Sequence, residues 1–271
     1  MEETVKSKFE QVILGNLTPD GKLLDLEGKN IGPDEMRLLC EAEDDLSGVE
    51  QLYLSENQLC GESIEILSRV KGLTGLVSLY LNNNSIGDED AKVLSNAEML
   101  KNLKCLMLEA NHIGPQGTET LARSANLKSL EILFLDSNPI GPEGANALAR
   151  SEQLPSLQAL HLDSTGIGDV GVQALANSPR FANLKKLYLC SNKMGDLGAL
   201  ALANSENLKN LNVLSLWRNE IRDEGGKAIA ESQTFMNLER LYMSLNLMEK
   251  PVRKIIRGSE LAKRLTTLVM D

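Results

Sequence analysis

The sequence predicts an α/β solenoid, a stack of short strand–turn–helix units that share one apolar core. Three observations predict it. An apolar residue opens the same pattern at Val49, Leu76, Leu103, Leu130, Leu157, Leu184, Leu211, Leu238 and Leu265, each 27 residues after the last. Within each unit the apolar spacing changes from alternation to helical spacing, the mark of a strand followed by a helix. An earlier copy around Leu24 and Leu26 extends the pattern over nearly all of the 271 residues, leaving no room for a separate catalytic domain. A lone unit of this kind cannot bury its apolar face, whereas stacked units bury a continuous one.

Each element has a local reason. The segment LxxLxL alternates apolar and variable residues, as a half-buried strand does. A turn follows, often Ile-Gly-Pro or Ile-Gly-Asp, and both Pro and Asp suit the start of a helix. The next stretch, such as Glu143 to Ala149, has helical spacing. Gly117, Gly144, Gly171, Gly198 and Gly225 recur at one helical position, where a missing side chain is expected to let the helix lie close to its strand. Asn57, Asn84, Asn111, Asn138, Asn192, Asn219 and Asn246 end successive strands, where an amide can satisfy backbone groups of the turn. Lys29 and Thr165 interrupt that series. The expected organisation is one continuous domain: an N-terminal cap over 1–20, nine repeats over 21–264 and a terminal half-repeat strand over 265–271. Val5, Phe9, Val12, Ile13 and Leu14 are the expected cap residues, with nothing comparable at the C-terminal edge.

The motif LxxLxLxxNxI at a 27-residue period, followed by helices of the GPEGANALA type, resembles the ribonuclease-inhibitor-like class of leucine-rich repeats. The resemblance implies a horseshoe with a parallel sheet on the concave face and helices on the convex face. It also implies that the concave sheet and its edges bind proteins, without saying which.

With the leucines buried, the residues between them face the concave groove. The middle column reads Asp25, Tyr53, Tyr80, Met107, Phe134, His161, Tyr188, Ser215, Tyr242 and Val269, and so holds all four tyrosines. Trp217 lies two residues along its strand from Ser215. Phe181 and Phe235 replace core leucines. Exposed Tyr and Trp are enriched in binding hot spots. Ten strands at about 4.8 Å give a groove on the order of 45 Å, suited to a protein or extended peptide. The next column contributes Glu109, Asp136 and Asp163 from consecutive repeats, whose like charges cost stability unless screened. Lys186 and Arg240 add positive charge toward the C-terminal half. A groove acidic in its middle suits a basic segment of a protein partner.

Composition excludes other classes. A formal net charge of −10 disfavours nucleic acid, which needs a basic footprint. The chain shows no apolar run long enough for a membrane helix and no secretory signal pattern, which reads as cytoplasmic and equally fits export without such a signal. Cys40, Cys60, Cys105 and Cys190 form no CxxC pair, against a disulfide framework or structural zinc. His161, Asp136, Asp163 and Cys190 are expected neighbours. An open sheet, however, offers a metal ion or a nucleophile no enclosed pocket, so no cofactor, metal or catalytic residue is assigned. His112 is expected in a solvated turn. The expected function is non-catalytic protein binding. Two alternatives stand beside it: a GTPase-activating or other enzyme-regulating role, as some proteins of this repeat class have, and self-assembly through the C-terminal edge strand.

Overall fold

In the computed structural model, which describes residues 11–41 and 46–270, ten strands form a single parallel sheet in strict chain order. They are β1 (Leu23–Asp25), β2 (Gln51–Tyr53), β3 (Ser78–Tyr80), β4 (Cys105–Met107) and β5 (Ile132–Phe134). The series continues with β6 (Ala159–His161), β7 (Lys186–Tyr188), β8 (Val213–Ser215), β9 (Arg240–Tyr242) and β10 (Thr267–Val269). From β2 onward each residue pairs with the one 27 positions later, so Leu79, Leu106 and Leu133 lie in one row. The central leucine of β2 to β9 is fully buried. Helices return the chain on the opposite layer: Asp88–Ser95, Pro115–Ala122, Gly141–Ala149, Gly168–Ala176, Asp196–Ala203, Asp223–Glu231 and Lys250–Gly258 in the later units. Helices pack about 8–10 Å apart and strands about 4.8 Å apart, so the stack bends toward its sheet side. The expected α/β solenoid, with its sheet on the concave face, is what forms.

Three hydrogen-bond ladders tie one repeat to the next. The asparagines make the first. Asn138 donates from Nδ2 to the carbonyls of Leu108 (2.8 Å) and Leu135 (3.1 Å) and accepts from the Ile113 N–H (2.9 Å). Asn84, Asn111, Asn219 and Asn246 repeat the arrangement. Thr165 keeps part of it, its hydroxyl donating to Leu162 O at 2.7 Å and lying 3.0 Å from Asn192 Oδ1. The second ladder is of buried serines. Ser151, Ser178, Ser205 and Ser232 each donate to a carbonyl 29 residues earlier, at 2.5 Å.

The third ladder caps helices across repeats. Asp169, the second residue of its own helix, accepts from Gly195 N (2.8 Å) and Gly198 N (2.7 Å) at the start of the next. Asp88 and Asp196 do the same for the helices that follow them. Where this position is Pro115 or Pro142, the following helix begins one residue earlier in the unit, at Gly141 or Gly168, each with φ near +60°. Without the carboxylate, glycine takes the left-handed conformation there.

Two expectations need correction. The recurring helical glycines bring each helix against its own turn and the preceding helix rather than its strand. A Cβ on Gly144 would lie 2.4 Å from Ile140 Cγ2 and 3.2 Å from Thr118 Cβ, and one on Gly225 2.8 Å from Ala199 Cβ. At the N-terminal end Ile13 is buried and Val12 packs on the core, but Leu14 is 65% exposed and covers nothing. Val5 and Phe9 lie outside the described residues. Toward the other end, Val252, Ile256 and Leu261 bury against the last turns, and Arg257 donates to Met270 O at 2.6 Å.

Asn138→Ala removes a partner from two buried carbonyls and one N–H, a loss of roughly 3 kcal/mol or more at 1–3 kcal/mol per stranded group. Asn138→Thr, which can copy the Thr165 contact, is expected to lose less. Urea unfolding followed by circular dichroism checks both the loss and the order.

Candidate functional site

Register decides what the sheet presents. Leu133 and its equivalents point into the core, so Ile132 and Phe134 point out, and pairing aligns such residues in columns. The middle column contains the expected rings in order: Tyr53, Tyr80, Met107, Phe134, His161, Tyr188, Ser215 and Tyr242. All are half-buried except Ser215, which is buried. The rings stack along the groove. Tyr53 and Tyr80 lie 3.9 Å apart and nearly parallel, Phe134 and His161 3.7 Å, and His161 and Tyr188 4.0 Å. Within these pairs the faces cover one another, so edges and hydroxyls are what a partner meets; Tyr188 stacks only on its His161 side, and Tyr242 is in none of these pairs. Each such stack contributes about 0.5–1.5 kcal/mol beyond burial. Trp217 stands outside the stack and is 38% exposed.

The acidic column differs from expectation. Only Glu109 is exposed. Asp136 is 8% exposed and its Oδ1 accepts from the Asp163 N–H at 2.5 Å. Asp163 in turn accepts from Cys190 N at 2.6 Å, and Asn82 accepts from Glu109 N at 2.9 Å. These side chains bend down to serve the next strand instead of standing out as free charges. Desolvation pushes the Asp136 carboxyl up to about 7, helped by the charges of Asp163 and Glu109, and burial also raises Asp163. The middle of the groove is therefore less acidic at neutral pH than a count of its residues suggests.

His161 Nδ1 is 3.9 Å from Asp136 Oδ2. Burial, with the Lys186 charge nearby, drives the imidazole down to about 4. At neutral pH this is a neutral ring beside a carboxyl near its midpoint, a van der Waals neighbour rather than an ion pair. Cys190 Sγ lies 3.0 Å from Ser215 Oγ, and burial lifts its thiol to about 11, so it stays protonated. The four residues are neighbours as expected. Among the described residues no group of three His, Cys, Asp or Glu is arranged to hold a metal ion. Lys186 and Arg240 project from β7 and β9 and are exposed. His112 lies exposed in its turn.

Five segments, residues 73–95, 126–149, 153–176, 182–203 and 207–230, match the family described as Leucine Rich repeat. The chain folds as a leucine-rich-repeat solenoid. The interval from 96 to 125 falls outside these matches, yet it carries β4, the Asn111 rung and the Pro115–Ala122 helix in unbroken register. No curated protein matches the chain. Leucine-rich repeats generally mediate protein–protein interaction, and no helix among the described residues is long and apolar enough to cross a membrane.

Asp136 gives a pH test of this geometry. Its folded-state value is raised from an unfolded value near 3.8, so the unfolded chain gives up its proton first as pH rises. The stability this carboxyl contributes is fully present below about 4 and is lost between about 4 and 7. Asn82 shows that an amide can hold the same rung. Asp136→Asn is thus expected to match the wild type at pH 4 and exceed it at pH 8 by roughly 2 kcal/mol or more. Paired denaturation curves at the two pH values check the sign.

Proposed function

We propose that this leucine-rich-repeat protein is a non-catalytic binding module that holds a protein partner on its concave sheet face. The observation that carries the reading is the column from Tyr53 to Tyr242, which keeps a large side chain half-exposed on seven of eight strands, four of them tyrosines. Side chains of this type supply contact area at small entropic cost. The binding surface in this reading comprises Tyr53, Tyr80, Met107, Phe134, His161, Tyr188, Tyr242 and Trp217. Glu109, Asp136 and Asp163 flank it on one side, and Lys186 and Arg240 on the other. Because Asp136 and Asp163 are turned toward the backbone, the rings and the exposed Lys186 and Arg240 contribute more to recognition than the acids. The 27-residue period and the α-helical return segments support placing the chain in the ribonuclease-inhibitor-like class.

Tyr188→Ala combined with Trp217→Ala is expected to abolish capture of partners from native cell extract. A control pair on the helical face, Val170→Ala and Leu197→Ala, is expected to leave capture intact. Because Tyr188 stacks on His161, the first pair is also expected to lower stability by about 1 kcal/mol, so folding is checked alongside. Capture that survives the sheet-face pair and fails with the helical-face pair moves the site to the other layer.

A further inference from the structure

The ring file has one missing rung. Phe134, His161 and Tyr188 stack at about one ring per strand, but β8 then presents Ser215, in register between Tyr188 and Tyr242. At close to 4 Å per rung, Tyr188 and Tyr242 stand two rungs apart, about 8 Å by strand spacing and twice the stacking distance. One planar ring fills that width with a face-to-face contact on each side. The rung between them is Ser215 and, one column over, Val213, small residues exposed to only 5% and 4%.

Charge singles out the same place. The first outward-facing column of the sheet runs Leu23, Gln51, Ser78, Cys105, Ile132, Ala159, Lys186, Val213, Arg240 and Thr267. Its two charged members, both cations, stand on the strands either side of β8. Both are exposed, and neither makes an ion pair among the described residues. This is a concentration of positive charge on a chain whose net charge is −10. Asp163, an acid of the groove one repeat before β7, turns its carboxylate to Cys190 N. Trp217 stands at the far end of β8, exposed and unstacked.

We propose that the slot over β8 receives one aromatic side chain of an extended, acidic partner segment. Its ring lies between Tyr188 and Tyr242, and the carboxylates beside it meet Lys186 and Arg240. The proposal rests on the concave-face reading and names the chemistry of the partner there. It is opposite in charge to the basic segment that the acids of β4 to β6 suggest from the sequence.

The chain's single tryptophan reports on the slot directly. The whole protein is titrated with the capped peptide Asp-Glu-Phe-Glu-Asp while Trp217 emission is followed. A saturable change is expected, weakened at least tenfold when Ala replaces Phe in the peptide or Lys replaces its acids. Ser215→Phe, which fills the rung with the chain's own ring, is expected to weaken binding at least tenfold. So is Lys186→Glu combined with Arg240→Glu, which changes only exposed side chains and keeps the test open should Ser215→Phe fold poorly. The proposal is overturned by no saturable change up to several millimolar, by equal binding of the Ala or Lys peptide, or by unaltered binding to a folded variant. If partner capture from extract still depends on Tyr188 and Trp217 while the peptide fails, the slot alone is wrong. If both fail, the concave-face reading falls with it.

Discussion

Leaving a three-residue strand for a helix on the opposite layer strands backbone N–H and C=O groups in the middle of an apolar core. One amide side chain per repeat resolves this for two repeats at once. Asn219, for example, satisfies Leu216 of its own unit and Leu189 and Met194 of the preceding one. An amide is the smallest side chain with both a two-proton donor and an acceptor, and buried backbone groups need both. The bonds have fixed length and direction, so they hold consecutive repeats at a constant offset. From that offset follow the even strand register, the stacked leucines and the straight columns of outward-facing residues.

The same constraint explains why so much of the fold is legible in the sequence. The LxxLxL alternation and the recurring asparagine are local signals, readable within one repeat and reinforced by copying. Features whose partners lie a full repeat away are harder to read. The first-turn Asp88, Asp169 and Asp196 look like ordinary helix starters, yet each caps the helix of the next unit, 26 and 29 residues on. The signal was present in the alternation of Ile-Gly-Pro with Ile-Gly-Asp, but its meaning depends on what the preceding repeat carries. The serine ladder at Ser151, Ser178 and Ser205 also recurs at the period, but a serine in a loop has many simpler local roles and its partner lies 29 residues earlier.

The candidate site shows a similar division. Which residues share a column follows from period and alternation, and those placements hold from Tyr53 to Tyr242. What the side chains then do depends on reach. Glu109 stays out, whereas Asp136 and Asp163, in the same column, fold down onto the next strand's N–H. Two carboxylates, one and two strands along from Glu109, thereby lose much of their character as surface charges, which no count of acidic residues reveals. The rings behave likewise. Their column placed them side by side, and only their geometry shows that they spend their faces on each other.

Because the scaffold fixes position, size and charge at each column site shape the groove without altering its register. Ser215 illustrates the point. A ring there would stack on both Tyr188 and Tyr242 and gain about 0.5–1.5 kcal/mol per contact, with no change of register. Serine forgoes both contacts for one weak hydrogen bond to a thiol. Packing within the sheet therefore gives no account of a small residue at this rung. The gap it leaves sits between two exposed cations that the fold does not use either, and a ring-bearing anionic segment from outside satisfies the rung and the cations together.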